Sequence, residues 1–237
     1  SIQHNENIGY YHFAHSYVRG PWNNEQTSGP LTLTKSCHDM DILLYLLGGA
    51  SCQSIVSVGG LSVFRRERYD PDTMAPMCVD CPQKDACAYS APRLYGSGKI
   101  RSVVFDLSSV DKVRESLGNS PYGRCVYACD NNVADHQATA IRFDNGVTAT
   151  FNLSAFTAKV NRSLKVMCQF GEIRAIEKPY LIETTDFRTD ETNVIELDVR
   201  ERGHGGGDSA FVRDFMESYL HGVPFNSTLK QSVESHA

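Results

Sequence analysis

The sequence has no long apolar run and no surplus of basic residues. Its longest apolar stretch covers positions 42–47, whereas a transmembrane helix needs about 20 apolar residues. Lysine and arginine number 23 against 28 aspartates and glutamates, which leaves a net charge of −5, and no Lys/Arg cluster is present to hold a nucleic-acid backbone. The first residues lack the basic and apolar regions of a secretory signal. We therefore expect a cytoplasmic protein with neither membrane nor nucleic-acid partners.

A dinucleotide-binding turn is also missing. The nearest approach to Gly-x-Gly-x-x-Gly is the segment 203–208, in which Asp208 occupies the last position. The segment Gly96-Ser97-Gly98-Lys99 lacks the first Gly and the final Ser/Thr of a phosphate loop. A nucleotide cofactor would need a phosphate cradle from outside these residues. Because the chain also lacks an initial Met, we expect the natural protein to be longer.

What is present is typical of one globular α+β domain. The 237 residues are 41% hydrophobic and 22% charged. Alternating and β-branched segments predict strands over 8–18, 54–64, 138–143, 147–153, 164–169, 172–176, 180–184 and 194–199. Helical spacing predicts helices over 38–47, over 111–117 and from Asp208 onward, with 31–33 extended. These patterns predict that residues 1–237 form a large open, mostly antiparallel β-sheet with helices on one side.

Two segments between these elements carry signals of their own. Asp144-Asn145-Gly146 separates two alternating segments, and Asn-Gly in that position predicts a tight hairpin. Residues 65–100 are rich in Pro and Cys and have no periodicity. Because a loop of this length inside a compact domain is usually functional or cross-linked, we expect a Cys-rich insertion at about 65–100.

Polar side chains are concentrated near the N-terminus and form the first candidate site. They are His12, His15, Arg19, Lys35, His38, Asp39 and Asp41. A neutral His38 could take a proton from a substrate hydroxyl, with Lys35 holding the resulting oxyanion and Asp41, three residues along the helix, orienting the imidazole. Alternatively, Asp39 and Asp41 only complement the dipole of a helix that begins at His38, and the strand histidines are satisfied core groups.

The cysteines form the second candidate site. Cys78, Cys81 and Cys87 lie together in the insertion, and Cys-x-x-Cys lets two thiolates meet one metal ion. A tetrahedral zinc site needs a fourth ligand, for which we select Cys129, with Cys125 as the alternative. Free thiols, a disulfide or an iron–sulfur cluster use the same residues, so these alternatives stay open.

Several motifs, taken in order, resemble one protein family. They are residues 10–20, residues 35–41 with Lys35-Ser36-Cys37-His38-Asp39, residues 123–127 followed by Asp135-His136-Gln137, and residues 203–208. This series resembles the C-terminal domain of the Gfo/Idh/MocA oxidoreductases, the relatives of glucose-fructose oxidoreductase and inositol dehydrogenase. The resemblance covers nearly the whole chain.

The resemblance implies a fold, a cofactor and a substrate class. The fold is the ferredoxin-like, dihydrodipicolinate-reductase-like C-terminal domain, which usually mediates homo-oligomerisation through its sheet. NAD or NADP would be bound mainly by an N-terminal Rossmann domain that this chain does not contain. The substrate would be a sugar, a cyclitol or a related polyol.

The resemblance also assigns roles to individual residues. His38 matches the family's catalytic His, but the carboxylate that commonly lies four residues earlier is replaced by Thr34, which Lys35 follows. Glu177-Lys178-Pro179 has the letters of a Rossmann-domain motif but lies between two late strands, so we interpret it as a coincidental turn. The expected substrate-binding residues are His12, His15, Arg19, Trp22, Asn23, Asp41 and His136.

Two other functions fit the same resemblance. Some relatives use NAD in a redox-assisted cycle that cleaves a glycosidic bond without net oxidation. The domain could instead be a non-enzymatic module for sugar binding or assembly. Sequence upstream of Ser1 would distinguish an enzyme from such a module, because an enzyme requires the dinucleotide-binding turn there.

Overall fold

An eight-stranded sheet forms the centre of the computed structural model, which describes residues 1–98, 100, 106, 108–199, 206–225 and 228–236. The strands lie in the order β2-β3-β4-β1-β5-β6-β7-β8. Their bounds are β1 Ile2–Asn7, β2 Cys52–Gly60, β3 His136–Phe143, β4 Thr148–Ser154, β5 Asn161–Met167, β6 Gly171–Ile176, β7 Leu181–Asp186 and β8 Glu191–Glu196. All neighbours are antiparallel except β1 and β4. The predicted α+β class and mostly antiparallel sheet are confirmed.

The described helices are mostly short. They are α1 Tyr10–Phe13, α2 Glu25–Ser28, α3 Leu31–Leu46, α4 Ala91–Gly96, α5 Val110–Gly118, α6 Gly207–His221 and α7 Leu229–His236. A π-helical segment, Ala14–Arg19, continues α1, and single 3₁₀ turns lie at Arg66–Arg68 and Pro121–Gly123. In the described part of the chain, no helix combines the length and the apolar character that crossing a membrane requires.

Strand β1 lies in the middle of the sheet, between β4 and β5. Its side chains alternate, so that Ile2, His4 and Glu6 are buried on one face of the sheet. That face is apolar in the neighbouring strand β4, where Phe151 and Leu153 are each 1% exposed. Two of the three inward positions of β1 are therefore ionisable, and they introduce polar groups beneath the helices.

The hairpin between β3 and β4 forms as the Asn-Gly signal predicts. Gly146 has a φ of +82°, a conformation that costs glycine little and other residues more. The hairpin places Ile141 and Phe143 of β3 on the buried face beside Ala149 of β4. These residues form an apolar cluster with Leu43 and Leu44 of α3.

Residues 10–18 are helical, so the predicted strand over 8–18 is wrong. Gly9, with a φ of +80°, turns the chain out of β1. The buried residues Phe13, Ala14, Tyr17 and Val18 then follow at the three- and four-residue intervals of a helix face. Aromatic residues at every second position also fit a helix if the residues beside each buried position are large and half-buried. Here the tertiary packing selects the helix over the strand.

Helix α3 begins at Leu31, seven residues before the predicted start at His38. Pro30 precedes it with an extended backbone, which is a favourable way to enter a helix. The predicted extended segment 31–33 is therefore helical, and His38 lies inside the helix instead of at a strand-to-helix junction. The end is as predicted, because Gly48 and Gly49 both have positive φ angles.

The insertion at 65–100 is mostly loop, and it packs around a small core of its own. Cys78, Val79, Ala91 and Tyr95 are buried together with Val113 and Leu117 of α5. Residues 203–205 of the glycine-rich segment lie outside the described residues. Helix α6 ends as predicted at Gly222, but none of its described residues is buried, and Phe211 and Tyr219 are 59% and 76% exposed.

The buried position of Phe151, on β4 beside β1, predicts the effect of its removal on stability. Phe151 is 1% exposed and its ring stacks on His4 at 5.6 Å between centroids. The variant Phe151→Ala should lower the free energy of unfolding by about 3–5 kcal/mol, because it removes buried apolar surface and leaves a cavity. Phe170→Ala, at a position that is 56% exposed, should change it by less than about 1 kcal/mol. Urea titrations of both variants test this, and equal losses would contradict the assigned core.

Candidate active site

A cluster of charged side chains lies between α3 and the buried face of the sheet. Its members, named here the charged cluster, are His4 and Glu6 of β1, Arg162 of β5, Lys35, His38 and Asp39 of α3, and Glu177 after β6. Glu6 and Arg162 are directly opposite each other in the pairing of β1 with β5. Helix α3 therefore packs here on ionic groups, whereas its C-terminal part packs on apolar side chains.

Glu6 is the most central carboxylate of the charged cluster. It is 1% exposed, and it contacts two cations. Lys35 Nζ lies 2.7 Å from Glu6 Oε1, and Arg162 Nε lies 2.7 Å from Glu6 Oε2. Since a buried carboxylate is tolerated only when it is paired, Glu6 holds Lys35 and Arg162 on opposite sides of one group.

Asp39 is the second buried carboxylate and is fully enclosed. Its Oδ1 accepts from His4 Nε2 at 2.7 Å and from Arg162 Nε at 2.9 Å, and its Oδ2 lies 2.8 Å from His38 Nδ1. Burial by itself would raise the pKa of Asp39, but hydrogen bonds from His38 and His4 and the charge of Arg162 outweigh burial and hold that pKa well below its usual range. Asp39 is therefore ionised and acts only as an acceptor.

His38 is the most exposed member of this cluster, with a side chain 52% exposed. Arg162 Nη2 lies 2.9 Å from His38 Nε2, and an arginine can only donate. The same Nη2 lies 3.3 Å from His38 Nδ1, and Nδ1 lies 2.8 Å from Asp39 Oδ2. The imidazole of His38 therefore lies between a buried carboxylate and solvent, with the Arg162 guanidinium against it.

Asp41 does not orient His38, so this expectation is wrong. The carboxylate that contacts His38 is Asp39, the next residue. Asp41 instead lines a separate cavity of about 300 Å³, together with Tyr45 of α3 and Phe211 and Asp214 of α6. A spacing of three residues places Asp41 and His38 near each other on the helix surface. The ring of His38, however, contacts Asp39, which lies toward the sheet.

Aromatic groups and His12 lie beside Lys35. The hydroxyl of Tyr17 donates to the carbonyl of Thr34 at 3.3 Å, and its ring stacks on Trp22 at 5.7 Å between centroids. His12 meets the edge of Tyr17 at 6.3 Å. Burial, the charge of Lys35 and the neighbouring His15 lower the pKa of His12 from 6.5 to about 4, so His12 is a neutral polar group near neutral pH.

The other predicted site residues are not in this cluster. His15 pairs with the hydroxyl of Tyr95 at 2.8 Å, and Arg19 bonds to carbonyls of Tyr89 and Arg124. Tyr95 and Tyr89 belong to the insertion, whereas Arg124 follows a 3₁₀ turn further along the chain.

Asn23 and His136 also lie elsewhere. Asn23 contacts Asp130 at 3.4 Å. His136, at the start of β3, contacts the fully buried Asp135 at 2.7 Å, and that carboxylate also accepts from the backbone N–H groups of Ser62 and Val63. His136 therefore belongs to the group of contacts that anchors the end of β2.

The cysteines do not form the expected zinc site with Cys129. The Cys129 thiol donates to the carbonyl of Cys125 at 3.3 Å and belongs to the main apolar core. Across the described residues, no three His, Cys, Asp or Glu side chains are grouped closely enough, as they stand, to hold a metal ion. All eight cysteines are free. Cys129 lies outside the narrow cavity that Cys78, Cys81, Cys87 and Cys125 line.

Sequence reasoning missed four members of the charged cluster: His4, Glu6, Arg162 and Glu177. The alternation Ile2-x-His4-x-Glu6 was available as a signal, because it places two ionisable groups on the face of a strand that begins with a buried Ile. Glu177 lies in the predicted turn between β6 and β7, and its Oε2 accepts from Arg162 Nη1 at 3.2 Å. The turn is confirmed, but its first residue joins the cluster, and no local signal indicates that contact.

The lowered pKa of His12 makes a prediction about pH. The unfolded chain, in which the pKa is about 6.5, binds this proton more readily than the folded chain, in which it is about 4. The stability that depends on a neutral His12 is therefore fully present above pH 6.5, and it is lost as the pH falls toward 4. Between neutral pH and about pH 4.5, the free energy of unfolding of the wild type should fall by about 2 kcal/mol more than that of the variant His12→Asn. Urea titrations at neutral and acidic pH measure this difference, and parallel losses in both proteins would contradict a buried, neutral His12.

Comparison with known proteins gives one curated relative of modest similarity. No protein-family model matches the chain. YteT of Bacillus subtilis (strain 168), which is named provisionally as an oxidoreductase, is 23% identical over 228 residues, covering 90% of this chain and 52% of YteT. The chain thus spans about half the length of the curated relative that it matches.

Solved structures share the fold over the whole chain. UDP-N-acetylglucosamine 3-dehydrogenase GnnA from Acidithiobacillus ferrooxidans superposes with a TM-score of 0.54 at 11% identity, over 99% of this chain and 49% of GnnA. Levoglucosan dehydrogenase, in complex with NADH and levoglucosan, has a TM-score of 0.56 at 12% identity, over 99% of this chain and 53% of that enzyme. The super-repressor mutant of Gal80p from Saccharomyces cerevisiae has a TM-score of 0.55 at 12% identity, over 99% of this chain and 49% of Gal80p.

These neighbours are of the Gfo/Idh/MocA type. Identities of 11–12% support the fold alone. The resemblance seen in the motifs is thereby confirmed at the level of structure: this chain has the fold of the C-terminal domain of the Gfo/Idh/MocA oxidoreductases.

Proposed function

We propose that this chain is the substrate-binding domain of an NAD(P)-dependent oxidoreductase that acts on a sugar, a cyclitol or a related polyol. The names of its relatives support this class. YteT carries the provisional name of an oxidoreductase, GnnA is named as a nucleotide-sugar dehydrogenase, and levoglucosan dehydrogenase was solved with NADH and levoglucosan. The observation that carries the proposal is the His38–Asp39 pair, with Lys35 three residues earlier on the same helix and held by Glu6.

The dinucleotide would be held outside this chain. The sequence has no Gly-x-Gly-x-x-Gly, and in the described residues no glycine-rich turn leads from a strand into a helix in a βαβ unit. The chain covers 49% of GnnA and 53% of levoglucosan dehydrogenase, which leaves room for a Rossmann domain in a protein of similar length. Bound there, the nicotinamide would supply a hydride acceptor.

This chain's own residues would hold the substrate and move its proton. A substrate hydroxyl would take the place of Arg162 Nη2 at His38 Nε2 and donate its proton to that nitrogen. Asp39 would stabilise the imidazolium through its contact with Nδ1. Lys35, held by Glu6, would stabilise negative charge that develops on the substrate oxygen. His12 and the stacked pair of Tyr17 and Trp22 would bound the pocket on one side.

This pocket uses a subset of the residues expected from the sequence. His12 and Trp22 remain in it because of their contacts beside Lys35. Arg19 and His15 bond within the insertion, Asn23 and His136 have partners elsewhere, and Asp41 faces α6. The proposed catalytic residues are His38 as the base and Lys35 as the cation.

A prediction follows for kinetics of the complete polypeptide that carries this chain. His38→Ala should lower kcat/KM roughly 10²- to 10⁴-fold, because it removes the general base. Lys35→Met should lower kcat roughly 10²-fold, because it removes charge stabilisation of the oxyanion. Formation of NADH or NADPH with a panel of sugars and cyclitols measures both.

The matched control is His221→Ala, because that side chain is 62% exposed on α6. It should keep the wild-type rate. Normal turnover in His38→Ala would overturn the assignment of the base. A wild type that binds sugars tightly but reduces no nucleotide would favour a binding module, a function that gains support from the presence of a repressor, Gal80p, among the proteins with this fold.

We also propose that the protein forms a homo-oligomer through the outer face of the sheet. Val56 and Val58 of β2 are both 68% exposed and lie opposite Ala140 and Ala138 of β3. Val56→Asp combined with Val58→Asp should shift the molecular mass in solution, measured by light scattering, toward the monomer, because charges would be buried in the interface. Val110→Asp, at an 83% exposed position of α5, is the control, and an unchanged mass in the double variant would contradict the proposed face.

A further inference from the structure

Arg19 is a buried cation for which the described residues provide no carboxylate. Its side chain is 2% exposed. Nε donates to the carbonyl of Arg124 at 2.7 Å, and Nη2 donates to the carbonyl of Tyr89 at 2.6 Å. Nη1 is buried and has no hydrogen-bond partner among the described residues, and the neighbouring hydroxyl of Tyr95 supplies no negative charge. An isolated buried charge strongly destabilises the folded state unless it is compensated. We therefore expect a negatively charged group beside this guanidinium.

The space beside Arg19 is a cavity lined by sulfur. It has a volume of about 30 Å³, and its lining includes Cys78, Cys81, Cys87 and Cys125 together with Arg19 itself. Arg19 Nη2 lies 3.5 Å from the Sγ of Cys78. Four of the eight cysteines therefore share one cavity with a buried cation.

The backbone brings these cysteines together from distant parts of the chain. Cys78 N–H donates to the carbonyl of Gly123, and Cys125 N–H donates to the carbonyl of Pro76, each at 2.8 Å. A β-bridge between Met77 and Arg124 lies between these bonds. Cys81 N–H bonds back to the carbonyl of Cys78 at 3.3 Å, which is a tight turn of the kind that lets both thiols of Cys-x-x-Cys point to one centre. The arrangement is built by hydrogen bonds that do not depend on any ligand.

We propose that this cavity is a structural site for a single thiophilic divalent cation, with zinc as the best match, ligated by Cys78, Cys81, Cys87 and Cys125. The four thiols would release their protons to solvent on binding, and the thiolates would close onto the ion from their present, wider positions. A divalent ion with four thiolates carries net negative charge, and that charge would compensate Arg19. No oxidation is involved.

The size and charge of the cavity favour one ion over the alternatives. A volume near 30 Å³ accommodates one or two water-sized spheres, which suits a single ion and is small for a cluster of four irons and four sulfides. A disulfide among these cysteines would be neutral and would leave Arg19 uncompensated. Cys125 is preferred to Cys129 because Cys125 lines this cavity, whereas Cys129 does not line it and belongs to the main apolar core.

The site would clamp the insertion onto the π-helical segment that packs beside the candidate active site. Arg19 ends the π-helical segment whose Tyr17 lies beside Lys35, and the same segment contacts Tyr95 of the insertion through His15. A metal that binds only the folded arrangement contributes its binding free energy to folding. The inference does not depend on the proposed oxidoreductase activity, because metal content is measured without any substrate.

The test is metal analysis of the complete protein, purified under reducing conditions without chelator from cells supplied with zinc. The wild type should contain about one zinc per chain by mass spectrometry of the elements. Cys78→Ser and Cys125→Ser should each lose it. Cys168→Ser, at an exposed position, and Cys129→Ser should both retain it, so that the second control separates the two candidates for the fourth ligand. Cobalt added to the metal-free wild type should give the spectrum of a tetrahedral tetrathiolate site.

Arg19 provides a second, independent measurement. Arg19→Met should weaken zinc affinity roughly 10- to 100-fold in competition with a chelator, the usual effect of losing an outer partner of a metal site. Arg19→Lys keeps the charge and should weaken it less, which guards against a variant that simply misfolds. A wild type without stoichiometric metal and without a cobalt spectrum would overturn the proposal. So would iron and sulfide in equal amounts, or a disulfide among the four cysteines in the native protein.

Discussion

The pairing of Glu6 and Asp39 with Arg162 is the interaction on which the arrangement of the candidate site depends. Two carboxylates are buried on the face of the sheet where β1 and β4 otherwise present apolar side chains. They are tolerable there because Arg162, from the adjacent strand, reaches both of them, while Lys35 also pairs with Glu6 and two histidines contact Asp39. Lys35 and His38 then take positions set by these carboxylates, which fixes the rotation of α3 above the sheet and leaves His38 at the exposed end.

The segment between β1 and α3 connects this charged cluster to the insertion. One π-helical turn carries Tyr17, which contacts the start of α3, and Arg19, which is enclosed by the insertion. His15, between them, pairs with Tyr95. The packing of the insertion therefore bears on the same short segment that bounds the proposed substrate pocket. Two sites with different chemistry share one helical turn as a common support.

Local signals predicted much of the sheet and little of the candidate site. The β3–β4 hairpin, strands β5 to β8, helix α5 and the end of α6 form where turn residues and periodicity indicate, because each is determined by neighbours in sequence. The strand predicted over 8–18 is a helix, since its alternation of aromatic residues fits either element until Gly9 and the core select one. The residue types and the resemblance identified His38 and Lys35 as candidates. That Asp39 is the partner of His38 depends on the rotation of α3 above the sheet, which local patterns do not reveal.

The sequence by itself determined the α+β class, the hairpin, the insertion, the absence of a dinucleotide-binding turn and the residue types suited to proton transfer. Only the tertiary structure decided which of these residues meet. Glu6, Arg162 and Glu177 are up to 171 positions apart and come together because β1 inserts between β4 and β5. Likewise, Arg19 and the four cysteines meet only because the insertion and the segment around Cys125 pair with each other and enclose the end of the π-helical turn. Periodicity reports which face of an element is buried, whereas a contact between distant side chains depends on strand order and register, which local patterns do not encode.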